Sequence, residues 1–131
     1  MTEPQLKERT REFAMRCMRL AGSLPSSTVG RAVASQLVRA GTSVGANYRA
    51  ACRARSRAEF VARLSIVEEE ADESGFWIEL IANSEMKPAK LLEPLLKEAD
   101  ELTRIMAASI KTARVPQRPI QNPKSKIQNP V

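Results

Sequence analysis

Apolar residues recur along the first 114 residues at alternating spacings of four and three, which is typical of helices that bury one face. The pattern forms four segments and predicts helices over residues 5–21, 28–53, 57–83 and 89–113. The links between these segments are short, and short links make neighbouring helices antiparallel. We therefore predict an all-α fold, an antiparallel up-down four-helix bundle over residues 1–114.

The second segment carries two glycines on a helix that is otherwise rich in alanine. Its apolar stripe is Val29, Val33, Leu37, Ala40, Val44, Tyr48 and Ala51. Gly41 and Gly45 lie four residues apart, and each costs a helix about 1 kcal/mol. We interpret the two glycines as a place where a neighbouring helix approaches closely.

Proline decides how the last helix begins and where the bundle ends. Pro94 is tolerated only in a first turn, so we expect the regular part of the fourth helix to begin near Glu93, after a separate turn. From Val115 onward prolines recur, and the motif Ile-Gln-Asn-Pro appears twice. Such a composition cannot bury a core, so we predict a disordered tail over residues 115–131.

The third helix has more apolar residues than one buried stripe can hold. Phe76 projects almost opposite that stripe, and an apolar side chain on an outer face indicates a subunit contact. The acidic run of residues 68–73 shares this outer region. We predict a homo-oligomer whose interface includes Glu69, Glu73, Phe76 and Leu80.

Charge is strongly segregated along the chain. Residues 1–67 hold twelve Lys and Arg against four Asp and Glu, whereas residues 68–109 hold four against eleven. Residues 13–58 contain eight arginines and no carboxylate. On the second helix, the arginines fall within an arc of about 80° opposite the apolar stripe. Together with the link that follows, they form a candidate basic surface made of Arg31, Arg39, Arg49, Arg53, Arg55 and Arg57.

This basic surface has two interpretations. The arginines could contact nucleic-acid phosphates, because a carboxylate-free arginine stripe attracts anions. Alternatively, they could pair with the acidic face of the third helix in the next subunit, which would give a head-to-tail ring. Aromatic residues are only 4% of the chain, so we expect contact with the nucleic-acid backbone rather than base stacking.

The composition argues against an enzyme, a metal protein and a membrane protein. The chain has no histidine to act as a general base or zinc ligand, and no glycine-rich phosphate loop. Cys17 and Cys52 fall on different predicted helices without a CxxC partner, so we interpret both as reduced apolar residues. The start of the chain is charged, and no stretch is long enough for a membrane span. We expect a cytoplasmic protein without cofactor or metal.

Four stretches of the sequence resemble one bacterial family. They are Gly41–Ala50, Arg55–Phe60, Glu68–Ser74 and Trp77–Leu80. Over roughly residues 5–113 the chain is similar to four-helix-bundle proteins first noticed as reading frames within intervening sequences of 23S ribosomal RNA genes. This group includes the accessory variability determinant of diversity-generating retroelements. The commoner family form has proline in place of Gly45, and Ile-Ala-Glu-Gly in place of residues 48–51.

The resemblance implies an up-down bundle that assembles into a ring of five with a basic surface. Its retroelement members bind a reverse transcriptase and nucleic acid, and the resemblance implies no catalytic residues. Two functions therefore remain. One is a nucleic-acid-binding protein that is largely insensitive to sequence. The other is a protein–protein adaptor, for example a reverse-transcriptase accessory, whose arginines pair with subunits or partners.

Overall fold

A computed structural model describes residues 1–116 of the chain. Four helices account for almost all of them: α1 (Glu3–Gly22), α2 (Thr28–Cys52), α3 (Arg57–Asn83) and α4 (Ala89–Arg114). These helices, with no strand among the described residues, confirm the predicted all-α fold class. The predicted disordered tail lies outside the described residues from position 117 onward.

Side-chain caps explain where the first helices begin. The Thr2 hydroxyl accepts a hydrogen bond from the Gln5 amide at 3.2 Å, and the Gln5 side chain accepts one from the Thr2 amide at 2.8 Å. This capping box starts α1 two residues earlier than predicted. The Ser27 hydroxyl likewise accepts from the Gly30 amide at 3.0 Å and starts α2.

The expected separate turn before Pro94 is wrong. Helix α4 runs without a break from Ala89 through Pro94, which is its sixth residue. Proline lacks an amide hydrogen, so only the helical bond to the Lys90 carbonyl is lost. Pro94 and Lys90 are both exposed, so water can hydrate that carbonyl. The pyrrolidine ring of Pro94 therefore contacts only the first turn of the helix, and the helix tolerates the proline.

Consecutive helices are antiparallel, because residue numbers rise along one helix while those of its contacts fall along the next. The contacts are Thr10–Gly45 and Cys17–Gly41 between α1 and α2, and Asn47–Arg63 and Arg39–Glu73 between α2 and α3. Between α3 and α4, Gly75 lies beside Ala99, and Phe60 and Ser109 line the same groove. The buried stripes of all four helices form one core between them. Val29 departs from the predicted stripe: it is 60% exposed, and the neighbouring Gly30 is buried against the Pro25 carbonyl.

The two glycines of α2 lie where α1 approaches most closely, as the sequence predicted. A Cβ built on Gly41 would be 2.6 Å from the Cβ and 2.7 Å from the Sγ of Cys17, and one on Gly45 would be 3.3 Å from the Thr10 carbonyl oxygen. Cys17 is fully buried at this crossing, and burial raises the pKa of its thiol to about 12. This thiol therefore acts as a packing residue of the α1–α2 interface.

The fourth side of the bundle is held differently from the other three. Contacts between α1 and α4 are sparse compared with those of the other neighbouring pairs. An ion-pair cluster joins them: the Arg9 guanidinium donates to both carboxylate oxygens of Glu98, at 2.7 and 2.8 Å, and to Glu101 at 2.7 Å. The hydrogen bond to Glu98 is the main reason that the pKa of Arg9 is raised. On this side of the bundle, where contacts are sparse, ion pairs join the two helices as a polar clamp.

Candidate nucleic-acid interface

The structure separates the six predicted arginines into different environments, although all six are exposed. Arg49, Arg53, Arg55 and Arg57 lie at one end of the bundle, where α2 ends and α3 begins. Arg31 lies at the opposite end of α2 and donates to the Ser26 carbonyl at 3.0 Å. The single surface proposed from the sequence therefore has its densest part at the α2–α3 end.

Arg39 is engaged with carboxylates of its own chain. Its guanidinium donates to Glu70 at 3.2 Å and also bonds Glu73 of α3. The hydrogen bond to Glu73 is the main reason that the pKa of Arg39 is raised. The sequence suggested such pairing between subunits, whereas at this position it occurs within one chain.

The residues predicted for a subunit interface also differ in their environments: three are exposed, and one is bonded within the chain. Glu69 is exposed, and Phe76 and Leu80 are 50% and 36% exposed. Glu73 is instead held within the chain, where it accepts a hydrogen bond from the Trp77 indole at 3.1 Å as well as from Arg39. The bond from Trp77, and then that from Arg39, lowers the pKa of Glu73. Phe76, which we call the knob, thus exposes half of its side chain on α3. It lies near the carboxylate of Glu73, which is already hydrogen-bonded within the chain.

The titration of Glu73 is open to a direct test, because Trp77 is the chain's only tryptophan. A carboxylate with a lowered folded-state pKa stabilises the fold above its unfolded pKa, and this contribution is lost as pH falls through the lowered value. We expect Trp77 emission to change in acid with a midpoint below the usual glutamate value of about 4.3. Glu73→Gln should remove that step. A midpoint at or above the usual value would contradict the hydrogen bond.

Antiparallel packing adds two cations to the arginine-rich end. Lys7 and Arg11 of α1 lie beside Arg49 of α2 and line a groove of about 490 Å³, with Gly45 and Ala46 also lining it. We call Lys7, Arg11, Arg49, Arg53, Arg55 and Arg57 the basic corner. Lys7 and Arg11 are not among the residues that the sequence predicts for the basic surface. Their i,i+4 spacing puts them on one helical face, but that face meets α2 only in the folded bundle.

Hydrogen bonds fix the backbone of the basic corner. The Ser56 hydroxyl caps α3 by accepting from the Glu59 amide at 3.1 Å, and the Glu59 carboxylate accepts from the Arg55 amide at 3.1 Å. The Glu59 side chain thus bonds the amide one residue before the cap residue Ser56, which is a shifted form of the capping box. Asn47 accepts from Arg63 at 3.3 Å and so ties α2 to α3 nearby. The arginines extend from an ordered turn.

The basic corner keeps an excess of positive charge despite nearby acids. Within residues 1–116, its one ion pair joins Arg11 to Glu8 at 3.4 Å, and both side chains are about two-thirds exposed. The Glu59 carboxylate is occupied by a backbone amide. Arg49, Arg53 and Arg57 pair with no carboxylate in the described part of the chain. Their guanidinium groups are available to an external anion.

Two further findings concern other kinds of site. Among residues 1–116, no cluster of three or more His, Cys, Asp or Glu is arranged to hold a metal ion. No described helix combines the length and the apolar character that crossing a membrane requires.

Together the fold and the basic corner define a four-helix-bundle protein with one cation-rich end. Residues 3–108 match the family described as 23S rRNA-intervening sequence protein, and the chain belongs to that family. A crystal structure from Bacteroides thetaiotaomicron VPI-5482, of a protein with unknown function from the S23 ribosomal protein family, is similar with a TM-score of 0.78 and 32% identity. The similarity covers 85% of this chain and 99% of that one. No curated protein matches the chain significantly.

Proposed function

We propose that this protein is a non-enzymatic homo-oligomer that binds nucleic acid through the basic corner, largely without regard to sequence. The observation that carries the proposal is the convergence of α1, the end of α2 and the α2–α3 link on one end of the bundle. Four of the arginines there, Arg49, Arg53, Arg55 and Arg57, form no ion pair with a carboxylate in the described residues. A guanidinium presents a planar fork of donors that fits phosphate oxygens.

The scarcity of aromatic side chains available for base stacking also favours contact with phosphates. The chain has five aromatic residues. Tyr48 and Trp77 are engaged in the bundle, and Phe13 is buried, so a row of stacking platforms for unpaired bases is missing from the described part. Phosphate contacts displace counterions, so binding should weaken steeply as salt rises. The resulting binding mode reads backbone charge and not base identity.

Self-association is the second part of the proposal, and we propose a ring of five copies. Phe76 and Leu80 on the outer side of α3 support self-association, because exposed apolar side chains of this size are typical of subunit contacts. Several copies of the basic corner in one particle would act together on one nucleic acid. Individually weak phosphate contacts would then add to a useful affinity.

The test of nucleic-acid binding is the double substitution Arg49→Glu with Arg53→Glu. We expect at least a tenfold loss of affinity for unrelated RNA and DNA oligonucleotides, measured by fluorescence anisotropy over a salt series. The salt dependence should also become shallower, because fewer phosphates are neutralised. Helix content by circular dichroism should be unchanged, since both side chains are exposed. Lys90→Glu with Arg104→Glu on α4 changes the net charge equally and should leave affinity nearly intact.

Two results would overturn the nucleic-acid proposal. If the double variant dissociates the oligomer, read by light scattering, the arginines pair subunits, and the adaptor function replaces nucleic-acid binding. If neither affinity nor assembly changes, the basic corner is only a solvated surface.

A further inference from the structure

We propose that Phe76 of one copy inserts into an apolar socket between α1 and α2 of a second copy. The socket is a depression of about 450 Å³ lined by Met18, Ala21, Gly22, Ala34, Ser35 and Val38. This inference rests on the proposed self-association and deepens it, since it names the surface that receives the knob on α3. The contact joins two different surfaces, so each copy carries one of each.

The knob is held in position before any contact forms. The Phe76 ring packs edge-on against Trp77, with ring centroids 5.1 Å apart and planes at 72°. Trp77 is in turn fixed by its hydrogen bond to Glu73, which Arg39 also binds. An aromatic ring that is already oriented loses little conformational entropy on binding. Phe76 is therefore a suitable anchor for a protein contact, although half of it is exposed in the single chain.

The socket has the chemistry to receive this aromatic ring. Apart from the Ser35 hydroxyl, its lining side chains are apolar, and Met18 is 49% exposed at its rim. Methionine is flexible and makes favourable sulfur–aromatic contacts, so it can adjust to an incoming ring. Burying the exposed parts of Phe76 and Met18 removes apolar surface from water on both partners. Association is therefore favoured by the burial of apolar surface on both partners.

The knob and the socket lie at the same level along the bundle. Across the α2–α3 interface, Arg39 faces Glu73 and Asn47 faces Arg63. Counting from these two pairs along antiparallel α2 places Phe76 about level with residues 34–36, and the socket is lined by Ala34 and Ser35 among others. Copies related by an axis parallel to the helices bring equal levels together. In a ring about such an axis, Phe76 of one copy and the socket of the next therefore lie at the same height.

The two surfaces lie on opposite sides of the bundle. Helices pack in the order α1, α2, α3, α4, with α1 also beside α4, so the α1–α2 side faces away from the α3–α4 side. An interface between different sides is heterologous; it makes a ring when the rotation closes and an open filament when it does not. A symmetric dimer built on Phe76 against Phe76 would leave the socket open, whereas a head-to-tail ring fills every socket.

Charge around the two surfaces is complementary and selects a second copy as the occupant. Phe76 lines a groove of about 550 Å³ between α3 and α4, whose charged residues are four acids and one lysine: Asp72, Glu79, Glu93, Asp100 and Lys97. On the socket side, α2 has no carboxylate at all, and its Arg31 lies one helical turn from the socket residues Ala34 and Ser35. An acidic rim around the knob would meet a basic surround at the socket, and this favours the head-to-tail orientation.

The experiment uses two single substitutions, Phe76→Glu in the knob and Met18→Glu in the socket, with light scattering at tens of micromolar. We expect the wild type to be an oligomer and each variant alone to be a monomer. An equimolar mixture should form a 1:1 dimer, because the intact knob of the Met18→Glu chain fits the intact socket of the Phe76→Glu chain. Leu91→Glu changes an exposed residue of α4 outside both surfaces and should leave the oligomer intact. Circular dichroism confirms folding of each variant.

Each contrary light-scattering result would overturn a different part of the proposal. If Met18→Glu remains oligomeric while Phe76→Glu is monomeric, the socket is wrong but the proposed self-association stands. If both variants are monomers and their mixture stays monomeric, the two residues do not face each other and the pairing is overturned. A monomeric wild type would overturn both the self-association and the socket, while nucleic-acid binding would still be judged separately by the arginine variants.

Discussion

Gly41→Ala is expected to lower the free energy of unfolding by about 2 kcal/mol. The new Cβ would lie 2.6 Å from the Cβ of Cys17, closer than real side-chain atoms approach, and Cys17 is fully buried between α1 and α2. Overpacking at the upper end of its usual range costs about 3 kcal/mol. Replacing a helical glycine returns about 1 kcal/mol of helix propensity. Urea unfolding followed by circular dichroism measures the difference.

Gly75→Ala is the matched control. Gly75 is also inside a helix, but a Cβ there would make only ordinary contacts, at 3.7 Å from Ala99 and 3.8 Å from Leu96. This variant should therefore be stabilised by up to about 1 kcal/mol. In a Cys17→Gly background, Gly41→Ala should also become stabilising, because the obstructing atoms are gone. A stabilised Gly41→Ala in the wild-type background would show that α1 moves aside freely, against the close crossing described here.

Arg9→Met is expected to cost a similar amount, about 2 kcal/mol, by removing the clamp between α1 and α4. The substitution keeps much of the apolar stem but leaves Glu98, whose side chain is only 16% exposed, without its two hydrogen bonds. Hydrogen bonds to charged groups contribute about 1.5–3 kcal/mol, and unpaired carboxylates are costly to bury. The measurement is urea unfolding at neutral pH and at one protein concentration for all variants, since assembly would shift the apparent stability.

The control for the clamp is Arg104→Met. Arg104 pairs with Asp100 at 3.0 Å within α4, but the two side chains are 78% and 59% exposed. An exposed pair of this kind contributes roughly 0.5 kcal/mol or less. Equal small losses for Arg9→Met and Arg104→Met would mean that the sparse α1–α4 side needs no clamp.

The helices followed from the sequence because their signals are local. The bounds predicted for α3, residues 57–83, agree with the structure since the Ser56 cap and the apolar stripe lie within one segment. The start of α1 was placed two residues late because the capping pair of Thr2 and Gln5 precedes the apolar pattern. The expectation for Pro94 differs from the structure because only five helical residues precede it, so its ring obstructs little of the helix.

The candidate site was only partly predictable for a different reason. The sequence shows directly that arginines are concentrated near residue 50. The structure places Arg49, Arg53, Arg55 and Arg57 at one end of the bundle. Lys7 and Arg11 join these arginines only because one particular face of α1 meets α2. Arg39 forms ion pairs with Glu70 and Glu73 only because of the way α3 is rotated and offset against α2.

By itself, the sequence determined that this protein is a bundle of four helices, where three of them begin and end within a few residues, and that basic charge gathers near the α2–α3 link. The tertiary structure decided which charges stay available, which apolar residues stay exposed and where α1 crosses α2. The physical reason is distance. Periodicity and capping act over a few neighbouring residues, whereas an ion pair such as Arg9–Glu98 joins positions far apart in the chain, and it forms only when packing brings them within hydrogen-bond range.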